Sequence, residues 1–293
     1  SGDRRGVGMD IVKSSPTVKD CIFKNHLGSA VRNNNSQTTF SDCVFNNNEA
    51  FKGACIRNDE HSSIIVTGSL FNDNEGADGG AIKNEGSLTI TKSIFQNNTV
   101  YSDGGAIFNV GPLLISNSVF EKNSAHDGYA IANHQNNADL MVSNTIFVGN
   151  FRDRTGYGGG IFVNSINNAK LEIRNCLFFG NSSTYGSAFY KRGESTINVY
   201  NTIIWENSKG ENGLGYLGEW KTTVKEEGIP EQFPDDPNAK PTVFYTNNII
   251  EAGWSDTRSF SSDPLFVDSN DPDGPDDIWF TEDDGLRLRE GSP

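Results

Sequence analysis

A short phrase that recurs at intervals of 22 to 31 residues constrains the fold of this chain more than any other sequence feature. The phrase consists of a small residue, an aliphatic residue, Phe, two mostly polar residues and Asn. Its phenylalanines fall at positions 23, 45, 71, 95, 120, 147 and 178. A self-similar period of this size is typical of solenoids, in which each repeat is one unit that packs only on its neighbours.

Two other phrases recur with the same period. One reads Gly-x-Ala-Ile-x-Asn, as at residues 79–84 and 104–109, and the other alternates apolar and polar residues, as in Leu88-Thr89-Ile90. Asn, Gly, Asp and Ser lie between the phrases, and these residues tolerate turns and left-handed backbone. The apolar runs are too short for a helical solenoid, which needs apolar positions at three- and four-residue spacing over about ten or more residues.

Three short strands per repeat predict an all-β fold, a parallel β-helix in which each coil pairs with the next at about 4.8 Å. Residues 6–250 should form about nine coils. Alternation within the strands directs Leu88, Ile90 and Phe95 inward and Thr89 outward. The phenylalanines should therefore stack as a ladder in the core, and the closing Asn of each phrase should form a ladder of side-chain amides at a corner.

The residue just before each Phe breaks the expected alternation. It lies between two inward-facing residues and should face solvent, yet it is never polar. Either aliphatic residues are favoured there by their β-propensity, or the position marks an apolar stripe that another element covers. The C-terminal segment, a neighbouring domain and a second copy of the rod are the candidates for that cover. We predict a partner-binding stripe here. Its members are Ile22, Val44, Leu70, Ile94, Val119, Ile146, Leu177 and Ile203.

The repeat stops after Asn207 and divides the chain into a repeat region, 1–207, and a C-terminal region, 208–293. Residues 208–242 include Pro230, Pro234 and Pro237 and are interpreted as a long insertion. The alternating phrase returns once at residues 243–250. We predict a last coil followed by an irregular cap with an acidic loop, because the open end of a solenoid core must be closed.

These phrases resemble the repeats of a group of bacterial proteins. The paired Gly-Gly-Ala-Ile and Phe-x-x-Asn phrases are similar to those of polymorphic outer membrane proteins and of large secreted proteins with a right-handed parallel β-helix. Residues 203–207, 263–268 and 285–293 resemble the end of β-helix domains in proteins with a choice-of-anchor surface-attachment region. The resemblance implies a right-handed coil, a secreted or cell-surface location and a section of a longer protein. It implies no activity, because these repeats are scaffold sequence.

Charge and composition exclude several classes of partner. The net charge is −14, whereas nucleic acids and anionic membrane surfaces are recognised by clustered Lys and Arg. No stretch is long and apolar enough to span a bilayer. The four cysteines lack the spacing of a metal knuckle or a disulfide framework. Three of them occupy the small-residue position of the Phe phrase, where we expect buried small side chains.

An acidic loop carries the clearest local motif. Residues 268–277 read DSNDPDGPDD, which places several carboxylates on a turn that Gly274 allows to reverse sharply, as a hard cation such as Ca²⁺ requires. The loop lacks the closing Glu and the flanking helices of an EF-hand. We predict a short calcium loop of the kind found in extracellular modules, and the alternative is a solvated acidic turn. The predicted ligands are Asp271, Asp273, Asp276 and Asp277.

The predicted fold also leaves an enzyme open, because many right-handed β-helices cleave acidic polysaccharides. Such lyases use a Lys or Arg base on an exposed sheet, often beside calcium. Basic residues on the longest loops lie beside Tyr157, Tyr185 and Tyr190, whose rings could stack on sugars. Hydrolases of this shape need clustered carboxylates on one sheet face, and we expect none in the repeat region. The candidate catalytic residues are Arg152, Arg154, Lys191 and Arg192.

We predict a non-catalytic scaffold module for adhesion, glycan contact or self-assembly, whose partner is a polysaccharide, another surface protein or a second copy. A calcium-assisted polysaccharide lyase acting on acidic glycans is the alternative. Short turns on most coils favour the scaffold, because an enzyme groove needs long loops on several coils. Outward Arg32, Arg57 and Lys83 should stack on consecutive coils, where solubility is the simplest explanation for them.

Overall fold

The computed structural model describes residues 6–134, 139–152, 154–165, 170–193, 196–209, 242–251, 259–260 and 262–293. This part of the chain is a parallel β-solenoid without helices. Each strand of the three long sheets pairs in parallel with its counterpart one repeat away. The predicted all-β parallel solenoid is thereby confirmed. None of the described residues forms a helix that is long and apolar enough to cross a membrane.

Each of the three phrases builds one sheet. Sheet 1 arises from the Gly-x-Ala-Ile-x-Asn phrases, with strands Met9–Val12, Val31–Asn34, Ile56–Asn58, Ile82–Asn84, Ile107–Asn109, Ile131–His134, Ile161–Ser165 and Phe189–Gly193. Sheet 2 arises from the alternating phrases, with strands Thr17–Lys19, Gln37–Ser41, Ser63–Thr67, Ser87–Thr91, Leu113–Ser116, Leu140–Ser143, Lys170–Arg174, Thr196–Tyr200 and Thr242–Thr246.

Sheet 3 arises from the Phe phrases. Its strands are Ile22–Lys24, Val44–Asn46, Leu70–Asn72, Ile94–Gln96, Val119–Glu121, Ile146–Val148, Leu177–Phe179, Ile203–Trp205, Asn248–Ile250 and Ser259–Phe260. Two short sheets bridge sheets 3 and 1. They consist of Glu49–Lys52, Glu75–Asp78 and Thr99–Val100, and of Ser182–Ser183 and Ser208–Lys209.

Single left-handed residues bend the chain between the sheets. Asn117 and Asn144 have φ of 49° and 46° between sheets 2 and 3, a conformation that Asn tolerates better than most residues. The corner before sheet 1 uses glycine instead. A Cβ on Gly104, where φ is 72°, would collide with the carbonyl oxygen of Ile107. Asn, Asp and Gly therefore hold most of these corners, with Lys or Glu at a few, and the apolar runs between the corners form the strands.

Phenylalanine side chains stack along the core, as the repeat predicts. The rings of Phe71 and Phe95 are parallel, with centroids 4.4 Å apart, and those of Phe95 and Phe120 are 4.9 Å apart. These rings are fully buried. Continuous stacking gives the rod one uninterrupted apolar core. The ladder comprises Phe23, Phe45, Phe71, Phe95, Phe120, Phe147 and Phe178.

The predicted ladder of asparagine amides is also present. Nδ2 of Asn98 donates to Oδ1 of Asn123 at 3.0 Å and to the carbonyl oxygen of Phe71 at 3.0 Å. Each amide thus satisfies buried polar groups on two coils at once. The members are Asn48, Asn74, Asn98, Asn123, Asn150, Asn181 and Asn207. A second buried ladder, at the end of sheet 1, comprises Asn33, Asn58, Asn84, Asn109 and Asn133.

After residues 210–241, the C-terminal region continues with strands that extend sheets 2 and 3 by one more coil. Strand Thr242–Thr246 pairs with Thr196–Tyr200, and Asn248–Ile250 pairs with Ile203–Trp205. The predicted insertion lies largely outside the described residues, since 210–241 are not among them. Residues 262–293, the C-terminal segment, are built from turns and lie against the outer face of sheet 3.

Candidate functional site

The outer face of sheet 1 changes character along the rod. Its central outward row contributes one residue per coil, and the strand register aligns these residues. The first four are charged and the last four are aromatic or small. In chain order the row consists of Asp10, Arg32, Arg57, Lys83, Phe108, Ala132, Phe162 and Tyr190.

Acidic neighbours pair with the basic residues of this row. Nε of Arg57 lies 3.2 Å from Oδ1 of Asp59. Nζ of Lys83 lies 3.6 Å from Oδ2 of Asp78 and 3.5 Å from Oε1 of Glu85, and the Lys83 side chain is nearly buried. The predicted stacking on consecutive coils is confirmed, but the charges of Arg57 and Lys83 are balanced within the molecule. The first coils therefore do not present a free basic track.

The later coils carry four neighbouring aromatic side chains, Tyr157, Phe162, Tyr185 and Tyr190, which we call the aromatic patch. The rings of Tyr157 and Tyr185 stack at 4.8 Å, and Tyr190 lies 4.9 Å from Tyr157. Phe162 and Tyr190 are buried, whereas Tyr157 and Tyr185 are half-buried. Because Tyr157 and Tyr185 already stack on each other, a ligand would meet ring edges and hydroxyl groups rather than two open ring faces.

Acidic residues continue the line of the two stacked tyrosines toward the N-terminus. Asp103, Asp127, Tyr157 and Tyr185 follow one another on consecutive coils. We expected no carboxylates clustered on a sheet face, and the register places Asp103 beside Asp127 in the turn before sheet 1, outside its strands. The sequence does carry a signal for this pair, since each Asp directly precedes the Gly that opens a sheet 1 phrase.

A histidine lies beside each of these carboxylates. Nδ1 of His126 is 2.8 Å from Oδ1 of Asp127, and Nε2 of His134 is 3.2 Å from Oδ2 of Asp103. Burial, followed by repulsion from Asp103, raises the pKa of Asp127, and His126 opposes this shift. Ligand atoms of Asp103, His126 and Asp127 lie within 4.8 Å of one another. Among the described residues, no other three potential metal-ligating side chains come this close together.

A second surface lies on the outer face of sheet 3, where the apolar stripe runs. Val119 and Leu177 are buried there, in one apolar cluster with Phe266, Trp279 and Leu286 of the C-terminal segment. Three further stripe residues pack against this cluster. They are Ile94, Ile146 and Ile203. The C-terminal segment thus covers the later coils of the stripe.

The stripe remains open on the first coils. Ile22 is 69% exposed, and Val44 and Leu70 are partly exposed. The difference between the open and the covered coils correlates with a second outward row of sheet 3, which is formed by the residue after each Phe. This row is polar on the first five coils, with Lys24, Asn46, Asn72, Gln96 and Glu121, and apolar on the next three, with Val148, Phe179 and Trp205. The C-terminal segment therefore packs mainly where two adjacent rows are apolar and extends to Val119 and Ile94 at the edge of that region.

The predicted calcium ligands lie on successive turns of the C-terminal segment. The N–H of Gly274 donates to the carbonyl oxygen of Asp271 at 3.2 Å, and the N–H of Asp277 donates to that of Gly274 at 3.0 Å. No three carboxylates among Asp271, Asp273, Asp276 and Asp277 come within 4.8 Å of one another, a statement that covers described residues only. Calcium binding by this loop stays a prediction.

Two of the candidate catalytic residues line a cavity of about 300 Å³ with Ser124 and Phe151. They are Arg152 and Arg154. Nη1 of Arg152 donates to the carbonyl oxygen of Tyr101 at 3.3 Å.

The other two candidates do not lie on a loop, contrary to our placement. Lys191 belongs to strand Phe189–Gly193 of sheet 1, in register with Val163, and its side chain is fully buried. Arg192 follows on the same strand, and its side chain lies outside the described residues. An apolar run before Lys191 makes this a strand, and alternation then turns Lys191 away from solvent.

Comparison with known proteins gives one match. A family model described as "Right handed beta helix region" matches residues 33–204, which is more than half of the chain. No curated protein and no solved structure matches the chain.

Proposed function

Because the chain belongs to the family of right-handed β-helices, we propose that it is a non-catalytic β-helix module that contacts glycans along the outer face of sheet 1. One observation carries this proposal. Asp103, Asp127, Tyr157 and Tyr185 form a row beside that face, at the turn that leads into sheet 1, with one hydrogen-bonding side chain on each of four consecutive coils.

A row of this kind suits a linear, hydroxyl-rich ligand. Carboxylates accept hydrogen bonds from sugar hydroxyls, and tyrosine hydroxyls both donate and accept them. The apolar ring edges of Tyr157 and Tyr185 can pack against the C–H groups of a sugar ring, as amphipathic aromatic side chains do at many interfaces. Carboxylates would repel uronic acids, so we expect neutral glycans to bind better than acidic ones.

The setting of the module is part of the proposal. The resemblance to polymorphic outer membrane proteins and to choice-of-anchor surface proteins supports a bacterial, secreted or cell-surface scaffold with a role in adhesion. Another surface protein or a second copy of the rod are further candidate partners. Sedimentation velocity across a concentration series would detect self-association.

Glycan binding can be tested with an array of neutral and acidic oligosaccharides, followed by calorimetric titration of the best binder. The double variant Tyr157→Ala/Tyr185→Ala should weaken binding by about tenfold or more, which corresponds to about 1.4 kcal/mol. Tyr200→Ala is the matched control, because Tyr200 is a partly exposed tyrosine on sheet 2 that packs against Arg174. Absence of any bound glycan, or equal affinity for the double variant, would refute the proposal.

A calcium-assisted polysaccharide lyase is the second candidate. Its support is the cavity beside Arg152 and Arg154, since arginine can neutralise a uronate carboxylate. Incubation with alginate, pectin or chondroitin, with and without Ca²⁺, would produce ultraviolet absorbance from unsaturated products if the protein were a lyase. Such activity, lost in Arg152→Ala/Arg154→Ala, would favour the lyase over the scaffold.

A further inference from the structure

Asp103, His126 and Asp127 form a group whose geometry goes beyond what glycan contact needs. One ligand atom from each side chain lies within 4.8 Å of the other two. Two ligand atoms of a tetrahedral ion with bonds of about 2.0–2.2 Å are about 3.3–3.6 Å apart. Small side-chain rotations would therefore bring all three atoms onto one ion.

The backbone holds these residues in place independently of any ligand. Asp103 and Asp127 are bridged in parallel on consecutive coils. The N–H of His126 donates to the carbonyl oxygen of Ser102 at 2.6 Å, and the carbonyl oxygen of Asp127 accepts from the N–H of Gly104 at 2.9 Å. A site on such rigid elements loses little conformational entropy when it binds an ion.

The carboxylates of Asp103 and Asp127 lie on neighbouring coils, and no Lys or Arg among the described residues is within ion-pair distance of either. Among the described residues, the nitrogen atoms within ion-pair distance of Asp103 and Asp127 belong to His126 and His134. Two neighbouring carboxylates repel each other. A bound cation would relieve this repulsion.

One buried atom of Asp127 and one of the neighbouring His134 have bonding capacity to spare. Oδ1 of Asp127 and Nε2 of His134 are shielded from solvent, and each lies within hydrogen-bonding distance of one partner, but neither contact is well aligned. Buried polar atoms of this kind are uncommon, and a bound ion is one of the explanations for them. Oδ1 of Asp127 is also the oxygen that faces Nδ1 of His126.

We propose that Asp103, His126 and Asp127 bind one divalent transition-metal ion. One imidazole and two carboxylates suit Zn²⁺ or Mn²⁺, whereas Ca²⁺ takes about six to eight oxygen ligands. His134 is a positioning residue, because its Nε2 lies 3.2 Å from Oδ2 of the Asp103 carboxylate. This site does not depend on whether the face of sheet 1 binds glycans.

Calorimetric titration of the chelator-treated chain with Zn²⁺ alone, and then with Mn²⁺ alone, tests the site. We expect one ion per chain, and we expect His126→Gln and Asp127→Asn each to weaken its binding by about tenfold or more. His126 is an exposed side chain, so His126→Gln should fold normally, which circular dichroism checks. The matched control is His61→Gln, since His61 is an exposed histidine beside Glu60 on another turn.

The contrary results are equally specific. Absence of Zn²⁺ and Mn²⁺ binding at millimolar concentration would overturn the proposal. Binding that survives both His126→Gln and Asp127→Asn would place the ion elsewhere, for instance on the acidic loop, and would overturn it as well. Loss of binding in His61→Gln to the same extent would show that the signal is non-specific and would also overturn it. Glycan affinity is measured without added metal, so failure of one proposal leaves the other intact.

Discussion

Nε1 of Trp279 donates a hydrogen bond of 3.0 Å to Oε2 of Glu121, which lies 158 residues earlier in the chain. Both side chains are buried. Glu121 is the last polar residue of the second outward row of sheet 3, and Val148 on the next coil begins its apolar part. The hydrogen bond therefore fixes the C-terminal segment at the edge of the surface that it covers.

Replacing Trp279 with Ala should release the C-terminal segment from sheet 3. The change removes a large buried side chain and leaves a buried Glu121 without its indole donor, so we expect docking to lose about 3–5 kcal/mol. Limited proteolysis with mass spectrometry measures the cleavage rate within residues 262–293. Ile278→Ala is the control, because the neighbouring Ile278 is exposed. Equal cleavage of wild type and Trp279→Ala would contradict the anchoring role.

The two halves of the stripe should respond differently to the same kind of substitution. Leu177 is 9% exposed and Ile22 is 69% exposed. Leu177→Ser should destabilise the chain by about 2–4 kcal/mol, because it puts a hydroxyl into an apolar cluster, whereas Ile22→Ser should change stability by no more than about 0.5 kcal/mol. Denaturant melts followed by far-ultraviolet circular dichroism compare the two. Similar melting of both variants would show that the cover over Leu177 is not formed in solution.

The sequence predicts the coils well because each strand pairs with a near-copy of itself. The same Phe, Asn and Gly positions recur on successive coils, so one phrase determines both a local strand and its long-range neighbours. The contact between Trp279 and Glu121 has no such repeat, and its partners are separated by the region that interrupts the pattern. The residue after each Phe does change from polar to apolar along the sequence. That change can be interpreted only once the C-terminal segment is known to lie beside sheet 3.

Phe120→Ala should strongly destabilise the rod. Phe120 is fully buried between the rings of Phe95 and Phe147, at 4.9 Å and 5.1 Å. Neighbouring coils cannot close the resulting cavity without moving their own strands, so we expect a loss of about 3–5 kcal/mol in the free energy of unfolding. Leu114→Ala provides the control, because Leu114 is exposed on sheet 2. An unchanged denaturation midpoint for Phe120→Ala would contradict the inward ladder.

The face of sheet 1 shows why sites are harder to predict than coils. In the sequence, Asp103 and Asp127 are each indistinguishable from an ordinary turn residue before glycine. Only the coil register brings the two residues together. The prediction for Lys191 is wrong for a different reason, since the residue is buried rather than exposed. A basic residue near a long loop suggests exposure, but the strand continues through it and alternation turns it inward. Charge and position in the sequence do not determine burial without the exact strand boundaries.

Thiol reactivity should separate Cys21 from the other three cysteines. Cys43, Cys55 and Cys176 are buried, and burial raises the pKa of each thiol, to about 12 for Cys176, whereas Cys21 is partly exposed. The thiolate is the reactive form, so a disulfide reagent at about pH 8 should modify one thiol in the folded chain. All four should react in guanidinium chloride.

Raising the pH to about 9 should not recruit Cys176, because it stays far below the raised pKa of that thiol, about 12. The control is Cys21→Ser, which should remove the modification of the folded chain and leave that of the unfolded chain otherwise unchanged. Rapid reaction of a second thiol under native conditions would mean that the coils around Cys43, Cys55 or Cys176 open readily, contrary to the packed core in which these side chains lie.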